Sequence, residues 1–236
     1  MTGKSGDRAW IVPPPPRVAI PVAGQAAFFP VRRIYCVGQN YREHAREMGH
    51  SGREPPFFFA KPADAVWTDP VVPYPPMTGE LHHEVELVVA LGSGGRALTP
   101  ADALSRVFGY AVGVDLTRRD LQAVAKQFGR PWTVSKGFDH SAPVSPIHAV
   151  ERCGHPAAAE ISLDVNGERR QAGSTATMTW PVPELIAELS RYFELQAGDL
   201  IFTGTPPGVG PLRPGDRVAC RVEGVASLEF EIAGAG

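Results

Sequence analysis

The chain has 236 residues, of which 43% are hydrophobic and 20% are charged, which predicts an ordinary globular protein of one or two domains. Its formal net charge of −2 provides no electrostatic footprint for nucleic acid or for an anionic membrane, and no apolar stretch approaches the ~18 residues of a membrane span. The N-terminus lacks the charged and apolar regions of a signal peptide, so we expect a cytoplasmic protein with neither nucleic acid nor membrane as a partner.

Glycine and proline are abundant, at 25 and 24 residues, which favours short strands and many turns over a helical bundle. The predicted fold class is therefore mixed and β-rich (α+β). Residues 1–30 contain four consecutive prolines at 13–16 and predict an extended, proline-rich arm. The compact domain is expected over residues 31–236.

A strand over 29–38 is followed by a segment, 40–48, that begins with Asn40 as a possible N-cap and predicts a short helix. On that helix His44 and Glu47 lie on one face at i and i+3. A carboxylate can hold and polarise an imidazole, and histidine titrates close to neutral pH, so the pair can activate water as a general base. An incidental contact on a solvated helix is the alternative, and the spacing alone does not decide.

The next informative segment is 81–90, an apolar, β-branched run that contains Glu84 and Glu86. Alternate side chains of a strand point to the same face, so both carboxylates face one way. Burying two like charges together is costly unless they are neutralised, paired or bound to a metal. The segment predicts either a site for a hard divalent cation or a half-exposed strand with both glutamates in water.

A third carboxylate, Asp115, ends another apolar run at 109–115. Between the two runs, Thr99 followed by proline and an early acid predicts the start of a helix. A strand, a helix and a second strand could bring Asp115 beside the glutamates. Three carboxylates would leave about three octahedral positions of Mg²⁺ or Mn²⁺ for water and a chelating substrate.

Lys136 lies among residues that look buried, where a lysine usually needs a charge partner. It is predicted to pair with the acidic site and to hold a substrate carboxylate or an enolate oxygen, with a surface lysine as the alternative. Polar residues that follow Asp115 predict either the mouth of the same site or a solvated helix face: they are Arg118, Arg119, Asp120 and Gln122.

The C-terminal third predicts three further elements. An Asn-Gly pair at 166–167 between alternating segments predicts a β-hairpin, and 183–193 predicts an amphipathic helix. The turn at Gly204 and Thr205 follows a strand, and its amides and hydroxyl could contact an anion, although such turns usually serve only chain reversal. A final strand pair is expected around Gly224.

Together these segments resemble the fumarylacetoacetate hydrolase family. The matching blocks lie at 35–47, 57–62, 82–87, 109–122, 131–136, 164–168 and 198–210. The resemblance implies a highly twisted β-roll with a few short helices, usually assembled as a homodimer, so that 31–236 would be its catalytic domain.

The resemblance also implies roles for individual residues. It implies metal ligands at Glu84, Glu86 and Asp115, a water-activating pair at His44 and Glu47, and an enolate-stabilising cation at Lys136. Residues implied to line or support the substrate pocket are Lys61, Arg119, Gln122 and Thr205. Longer members of the family carry a further acidic ligand in the segment that matches 36–40. This chain has no acid there, which predicts a complete three-carboxylate site.

The activity implied by the resemblance is metal-dependent hydrolysis of a carbon–carbon bond in a 2,4-dioxo acid, with fumarylpyruvate of gentisate-type aromatic breakdown as the preferred acylpyruvate. The products would be fumarate and pyruvate. A cation for the distal carboxylate is expected from Arg42, Arg118 or Arg119. The alternative is an oxaloacetate decarboxylase, or an isomerase or tautomerase of 2-oxo or 2-hydroxydienoic acids, because all these reactions stabilise an enolate.

Overall fold

Two stretches of a computed structural model, residues 10–41 and 54–234, are described here. In chain order the strands are β1 (Ala19–Pro21), β2 (Phe28–Pro30), β3 (Arg33–Gly38), β4 (Phe57–Lys61), β5 (Val66–Trp67), β6 (Val71–Val72), β7 (Leu81–His83), β8 (Val85–Leu91), β9 (Val107–Val114), β10 (Thr117–Arg118), β11 (Ala142–Pro143), β12 (His148–Ala149), β13 (Glu160–Val165), β14 (Glu168–Ser174), β15 (Asp199–Phe202), β16 (Gly210–Leu212), β17 (Arg217–Val222) and β18 (Ala226–Ile232). The α-helices are α1 (Pro100–Ala103), α2 (Arg119–Gln127), α3 (Thr133–Lys136), α4 (Val150–Cys153) and α5 (Val182–Tyr192). Single 3₁₀ turns occur at Ala63–Ala65, Leu104–Arg106 and Thr175–Thr177.

A six-stranded sheet in the order β12-β9-β8-β15-β3-β4 is the centre of the fold. Its strand β8 is buried throughout, and successive side chains contribute to two different hydrophobic cores. Leu87 and Val89 belong to the first core, whereas Val88 and Ala90 belong to the second. This alternation follows from the pleat of the strand, and it places Glu86 on the face of the second core.

The first core lies between this sheet and a five-stranded sheet in the order β14-β13-β17-β18-β6. Residues such as Ile161, Val218 and Phe230 of the second sheet share that core with Leu87 and Val89. The predicted hairpin is confirmed at β13 and β14, with Asn166 and Gly167 both at positive φ as a tight two-residue hairpin requires.

The sequence predicted one continuous strand over 81–90, but the structure has two strands there, β7 and β8. The chain leaves the six-stranded sheet at Glu84, and β7 pairs instead with β10 and β16 in a separate three-stranded sheet. The hydrophobic pattern cannot reveal this break because β7 and β8 are both buried on either side of Glu84. Glu84 therefore lies where two sheets meet.

Other local predictions are confirmed. Thr99 caps α1 in a reciprocal arrangement with Asp102, and α5 occupies the segment expected to be an amphipathic helix. The last strand pair, β17 and β18, flanks Gly224. Residues 19–30 form the β1–β2 pair, and the domain boundary at residue 30 stays a prediction. Across the described stretches, every helix is too short or too polar to cross a membrane.

Candidate metal-dependent active site

The three carboxylates singled out from the sequence lie together at one end of the six-stranded sheet. Strands β8 and β9 are antiparallel, with Val85 opposite Val114, so Asp115 follows β9 at the level of Glu84, and its amide donates to the Glu84 carbonyl at 2.8 Å. One oxygen from each of Glu84, Glu86 and Asp115 lies within 4.8 Å of the others, and all three residues are buried. The strand register thus builds a compact acidic group.

Two buried lysines approach this group from other elements. Lys136, the last residue of α3, donates to Glu84 Oε2 and to Asp115 Oδ2, both at 2.7 Å. Burial alone would lower the pKa of Lys136, but Asp115 and Glu84 outweigh burial and raise it above its ordinary value. Lys61 of β4 lies 2.8 Å from Asp115 Oδ1. Both lysines therefore contact the acidic group directly and compensate part of its charge.

Glu86 is the least compensated of the three acids. It is 2% exposed, and burial raises its pKa well above the usual range, with the charges of Asp115 and Glu84 raising it further. Its Oε2 accepts the Gly204 N–H at 2.6 Å. Gly204 has φ +96°, and a Cβ there would meet the Asn40 Cβ at 2.7 Å, so only glycine fits this turn.

This donor set suits a divalent metal ion. Carboxylate oxygens are the ligands that hard cations such as Mg²⁺ and Mn²⁺ prefer, and a bound cation would relieve the mutual repulsion of the buried acids. Burial, and after it the charges of Asp115 and Glu84, raise the pKa of Glu86, and a bound cation would offset both effects.

The acidic group opens into a pocket with a charged wall and an aromatic wall. Arg119 and Gln122 of α2 form part of the charged wall, and one guanidinium nitrogen of Arg119 donates to Glu84 Oε1 and to Gln122 Oε1, each at 3.1 Å. The aromatic wall consists of Phe57, Phe59 and Trp132, with both phenylalanine rings edge-on to the indole.

Lys126 also lines this pocket, and the sequence interpretation missed it. Its ammonium group stands 5.2 Å from the centre of the Trp132 ring, and no carboxylate within the described residues pairs with it. Burial lowers the pKa of Lys126, and the nearby positive charge of Arg119 lowers it further. The missed signal was helical spacing, because Arg119, Gln122 and Lys126 lie at i, i+3 and i+7 on one face of α2.

Thr205 lines the pocket, as expected from the sequence. Lys61 instead lies beneath Asp115, where its side chain is fully buried and it donates to the carbonyls of Leu116 and Lys136. Its contact with substrate stays a prediction, as does that of Gly204, whose N–H is used by Glu86.

Arg118 points away from the pocket, since it donates to the Val134 carbonyl and its guanidinium stacks 4.4 Å from the centre of the Phe138 ring. His44, Glu47 and Arg42 lie outside the described residues. The described pocket therefore offers Arg119 and Lys126, together with Lys136, as cations for a substrate.

Comparison with known proteins explains this arrangement. A family model described as fumarylacetoacetate (FAA) hydrolase C-terminal matches residues 33–233. The chain belongs to the fumarylacetoacetate hydrolase family. The family prediction and the prediction of a mixed, β-rich fold with a few short helices are thereby confirmed.

Solved structures of the family are close to this chain over nearly its whole length. A candidate fumarylpyruvate hydrolase from Burkholderia cenocepacia is 56% identical, with a TM-score of 0.92 over 97% of this chain and 100% of that one. A fumarylpyruvate hydrolase from Pseudomonas aeruginosa, solved with Mn²⁺ and pyruvate, is 46% identical, with a TM-score of 0.92 over 95% of this chain and 99% of that one.

A curated relative bears another activity. Oxaloacetate tautomerase YcgM from Escherichia coli is 44% identical over 199 residues, which cover 83% of this chain and 90% of that protein. These relatives share one family, but their names give two different reactions, hydrolysis of fumarylpyruvate and tautomerisation of oxaloacetate.

Proposed function

We propose that the protein is a metal-dependent acylpyruvate hydrolase whose preferred substrate is fumarylpyruvate, cleaved to fumarate and pyruvate. The observation that carries this proposal is a pocket next to the buried acidic group of Glu84, Glu86 and Asp115, whose lining also includes three cations. These are Lys136, Arg119 and Lys126. Such a pocket suits a 2-oxo acid with a second, distal carboxylate. The similarity to a fumarylpyruvate hydrolase solved with Mn²⁺ and pyruvate supports the same reading.

Glu84, Glu86 and Asp115 would hold Mg²⁺ or Mn²⁺, which supplies Lewis-acid polarisation of the 2-oxo acid and fixes its orientation. The Gly204 N–H donates to Glu86 and fixes its position, and the Lys136 ammonium donates to both Glu84 and Asp115. Because these contacts are buried, the carboxylates are preorganised rather than recruited by the substrate.

The chain's own groups would carry the proton and charge transfers. On the sequence evidence, His44 and Glu47 activate a water molecule, whose oxygen adds to the C4 carbonyl. Cleavage of the C3–C4 bond leaves the electron pair on the pyruvate fragment as an enolate, and the acyl fragment departs as fumarate. Lys136 stabilises the enolate oxygen until C3 takes up the proton that the His44–Glu47 pair removed from the water.

Lys126 is proposed to hold the distal carboxylate, the role for which the sequence offered Arg42, Arg118 or Arg119. Arg118 is directed elsewhere, and Arg119 is already bound to Glu84 and Gln122. The ammonium of Lys126 lies 5.2 Å from the centre of the Trp132 ring at the pocket wall, where an anion would find a cation that no carboxylate of the described residues pairs with.

Replacement of Lys126 by methionine is expected to raise KM for fumarylpyruvate roughly 10–100-fold, the effect of losing one hydrogen bond to a charged group. KM for acetylpyruvate, which lacks the distal carboxylate, should stay nearly unchanged. Steady-state kinetics on both substrates measure this, with Arg130→Met as an exposed control that removes the same charge. An equal rise for both substrates would contradict the assignment.

The proposed reaction is tested by following loss of the enol ultraviolet absorbance of fumarylpyruvate while fumarate and pyruvate are quantified. We expect release of both products in equal amounts with Mg²⁺ or Mn²⁺ and none with EDTA. Absence of products from folded, metal-loaded protein would refute the proposal.

Oxaloacetate tautomerisation is the second candidate, favoured by the 44% identity to YcgM. It needs enolate stabilisation and proton transfer but no attacking water. Enol–keto conversion of oxaloacetate, followed without carbon–carbon cleavage, separates the two reactions in one preparation.

His44→Ala is expected to reduce acylpyruvate hydrolysis about 10²–10⁴-fold, the usual contribution of a general base. Mn²⁺ affinity should stay close to wild type, because the three carboxylates are untouched. Product assays and metal titration check the two expectations, and His148→Ala, at a half-buried position outside the pocket, serves as control. Hydrolysis at the wild-type rate would show that His44 has no part in the mechanism.

Homodimer formation, a cytoplasmic location and a place in gentisate breakdown stay predictions.

A further inference from the structure

Gln171 of β14 is a fully buried residue that reaches from the five-stranded sheet to the wall of the active-site pocket. Its Oε1 accepts the Val85 N–H at 3.1 Å, and its Nε2 donates to the Pro206 carbonyl at 2.8 Å. A backbone N–H can only donate and a carbonyl can only accept, so these two contacts determine which end of the amide is oxygen and which is nitrogen.

The orientation of Gln171 determines what the Thr205 hydroxyl can do. The same Nε2 donates to Thr205 Oγ1 at 2.8 Å, so the threonine oxygen is an acceptor in this contact. Thr205 lines the pocket, and within the described ranges its hydroxyl hydrogen has no acceptor. That hydrogen is therefore free to be donated into the pocket.

His83 is oriented by the same amide. Its Nδ1 lies 2.8 Å from Gln171 Oε1, and because that oxygen can only accept, Nδ1 carries the hydrogen. His83 directly precedes Glu84, so Gln171 holds both the segment that enters the acidic group and the hydroxyl on the pocket wall.

We propose that Gln171 is a positioning residue that presents the Thr205 hydroxyl as a hydrogen-bond donor to an oxygen of the bound 2-oxo acid. This inference rests on the proposed function, since it assumes that a 2-oxo acid occupies the pocket. Gln171 acts through Thr205 and does not itself line the pocket.

Gln171→Glu preserves shape and keeps an acceptor for Val85 and His83. It also sets an oxygen against the Pro206 carbonyl, so thermal unfolding of the variant is measured beside its binding of pyruvate. The carboxylate oxygen that replaces Nε2 would accept from the Thr205 hydroxyl and so turn its hydrogen away from the pocket. We expect about a tenfold loss of pyruvate affinity in the Mn²⁺-loaded protein and about a tenfold rise in KM for fumarylpyruvate, with kcat changed less. Mn²⁺ affinity should stay within about twofold of wild type, and Gln25→Glu, an exposed position, is the matched control.

Thr205→Val, which removes the hydroxyl at nearly constant shape, supplies the second arm. It should lower pyruvate affinity by the same factor, and the double variant should be no weaker than either single variant, because both changes remove one contact. Additive losses, or wild-type pyruvate affinity in Thr205→Val, would overturn the inference. A fall in Mn²⁺ affinity that matches the fall in pyruvate affinity would also overturn it, since the role would then be structural.

The binding measurements separate this inference from the proposed function. Pyruvate is the probe, so calorimetric titration with pyruvate decides the role of Gln171 even if the wild-type protein hydrolyses no acylpyruvate. If wild-type protein hydrolyses fumarylpyruvate but the Gln171→Glu protein binds pyruvate normally, the proposed function stands and the inference fails.

Discussion

Glu86→Gln is expected to abolish divalent-metal binding and to lower turnover on the order of 10³-fold, since a catalytic metal supplies several kcal/mol of transition-state stabilisation. Glu86 is 2% exposed and lies with Glu84 and Asp115 in one acidic group, so no neighbouring acid can take its place among the described residues. Calorimetric titration with Mn²⁺ and product assays measure the two losses.

The same substitution should leave the metal-free protein at least as stable as wild type. A neutral amide costs less to bury than a carboxylate beside two others, and its oxygen can still accept the Gly204 N–H. Thermal unfolding in EDTA tests this, with Glu229→Gln, at an exposed position of β18, as a matched strand control. Wild-type Mn²⁺ affinity in the variant would show that the cation binds elsewhere.

Lys136→Met is expected to destabilise the metal-free protein by about 3–5 kcal/mol, because it removes the buried ammonium that Glu84 and Asp115 share and leaves each acid with one cation, Arg119 or Lys61. For a chain of this size that loss corresponds to a fall of roughly 6–20 °C in the unfolding midpoint. Turnover should also fall on the order of 10²–10³-fold, as is typical when a donor that stabilises developing charge is removed.

Calorimetric unfolding with EDTA and with Mn²⁺ checks this expectation. The metal binds the folded state and should recover part of the lost stability. Lys126→Met is the control for stability, because that lysine has no carboxylate partner within 10–41 and 54–234 and should change the free energy of unfolding by no more than about 0.5 kcal/mol. Equal destabilisation by the two substitutions would contradict the buried ion-pair argument.

Sequence patterns predicted the elements whose signals are local. The Asn166–Gly167 hairpin depends on two residues that tolerate positive φ, and the Thr99 cap depends on one side chain and the amide three residues later. The E-x-E pattern likewise suffices to place two carboxylates on one side of the chain. The sequence did not predict the break at Glu84, because buried residues flank it on both sides although β7 and β8 belong to different sheets.

The tertiary structure alone showed how the charges of the site are paired. Lys61 was expected among the pocket residues, yet its place beneath Asp115 depends on the pairing of β4 with β3 at the sheet edge. Lys126 was overlooked because a lysine at the end of a polar helix has the same appearance in sequence whether it faces solvent or a pocket. Gln171 carries no motif, and only the packing of β14 against the pocket brings it to Thr205.

By itself, the sequence determined that this chain is a β-rich member of its family with an acidic triad and the residue types for enolate chemistry. Those properties depend on residue identity and on short spacings in the sequence. Strand alternation and helix capping relate such spacings directly to local structure. Only the tertiary structure decided which lysine compensates which carboxylate, which cation is left for a distal carboxylate, and which amide orients the Thr205 hydroxyl. These depend on contacts between residues far apart in the chain, set by strand register and sheet packing, for which no short sequence window carries a signal.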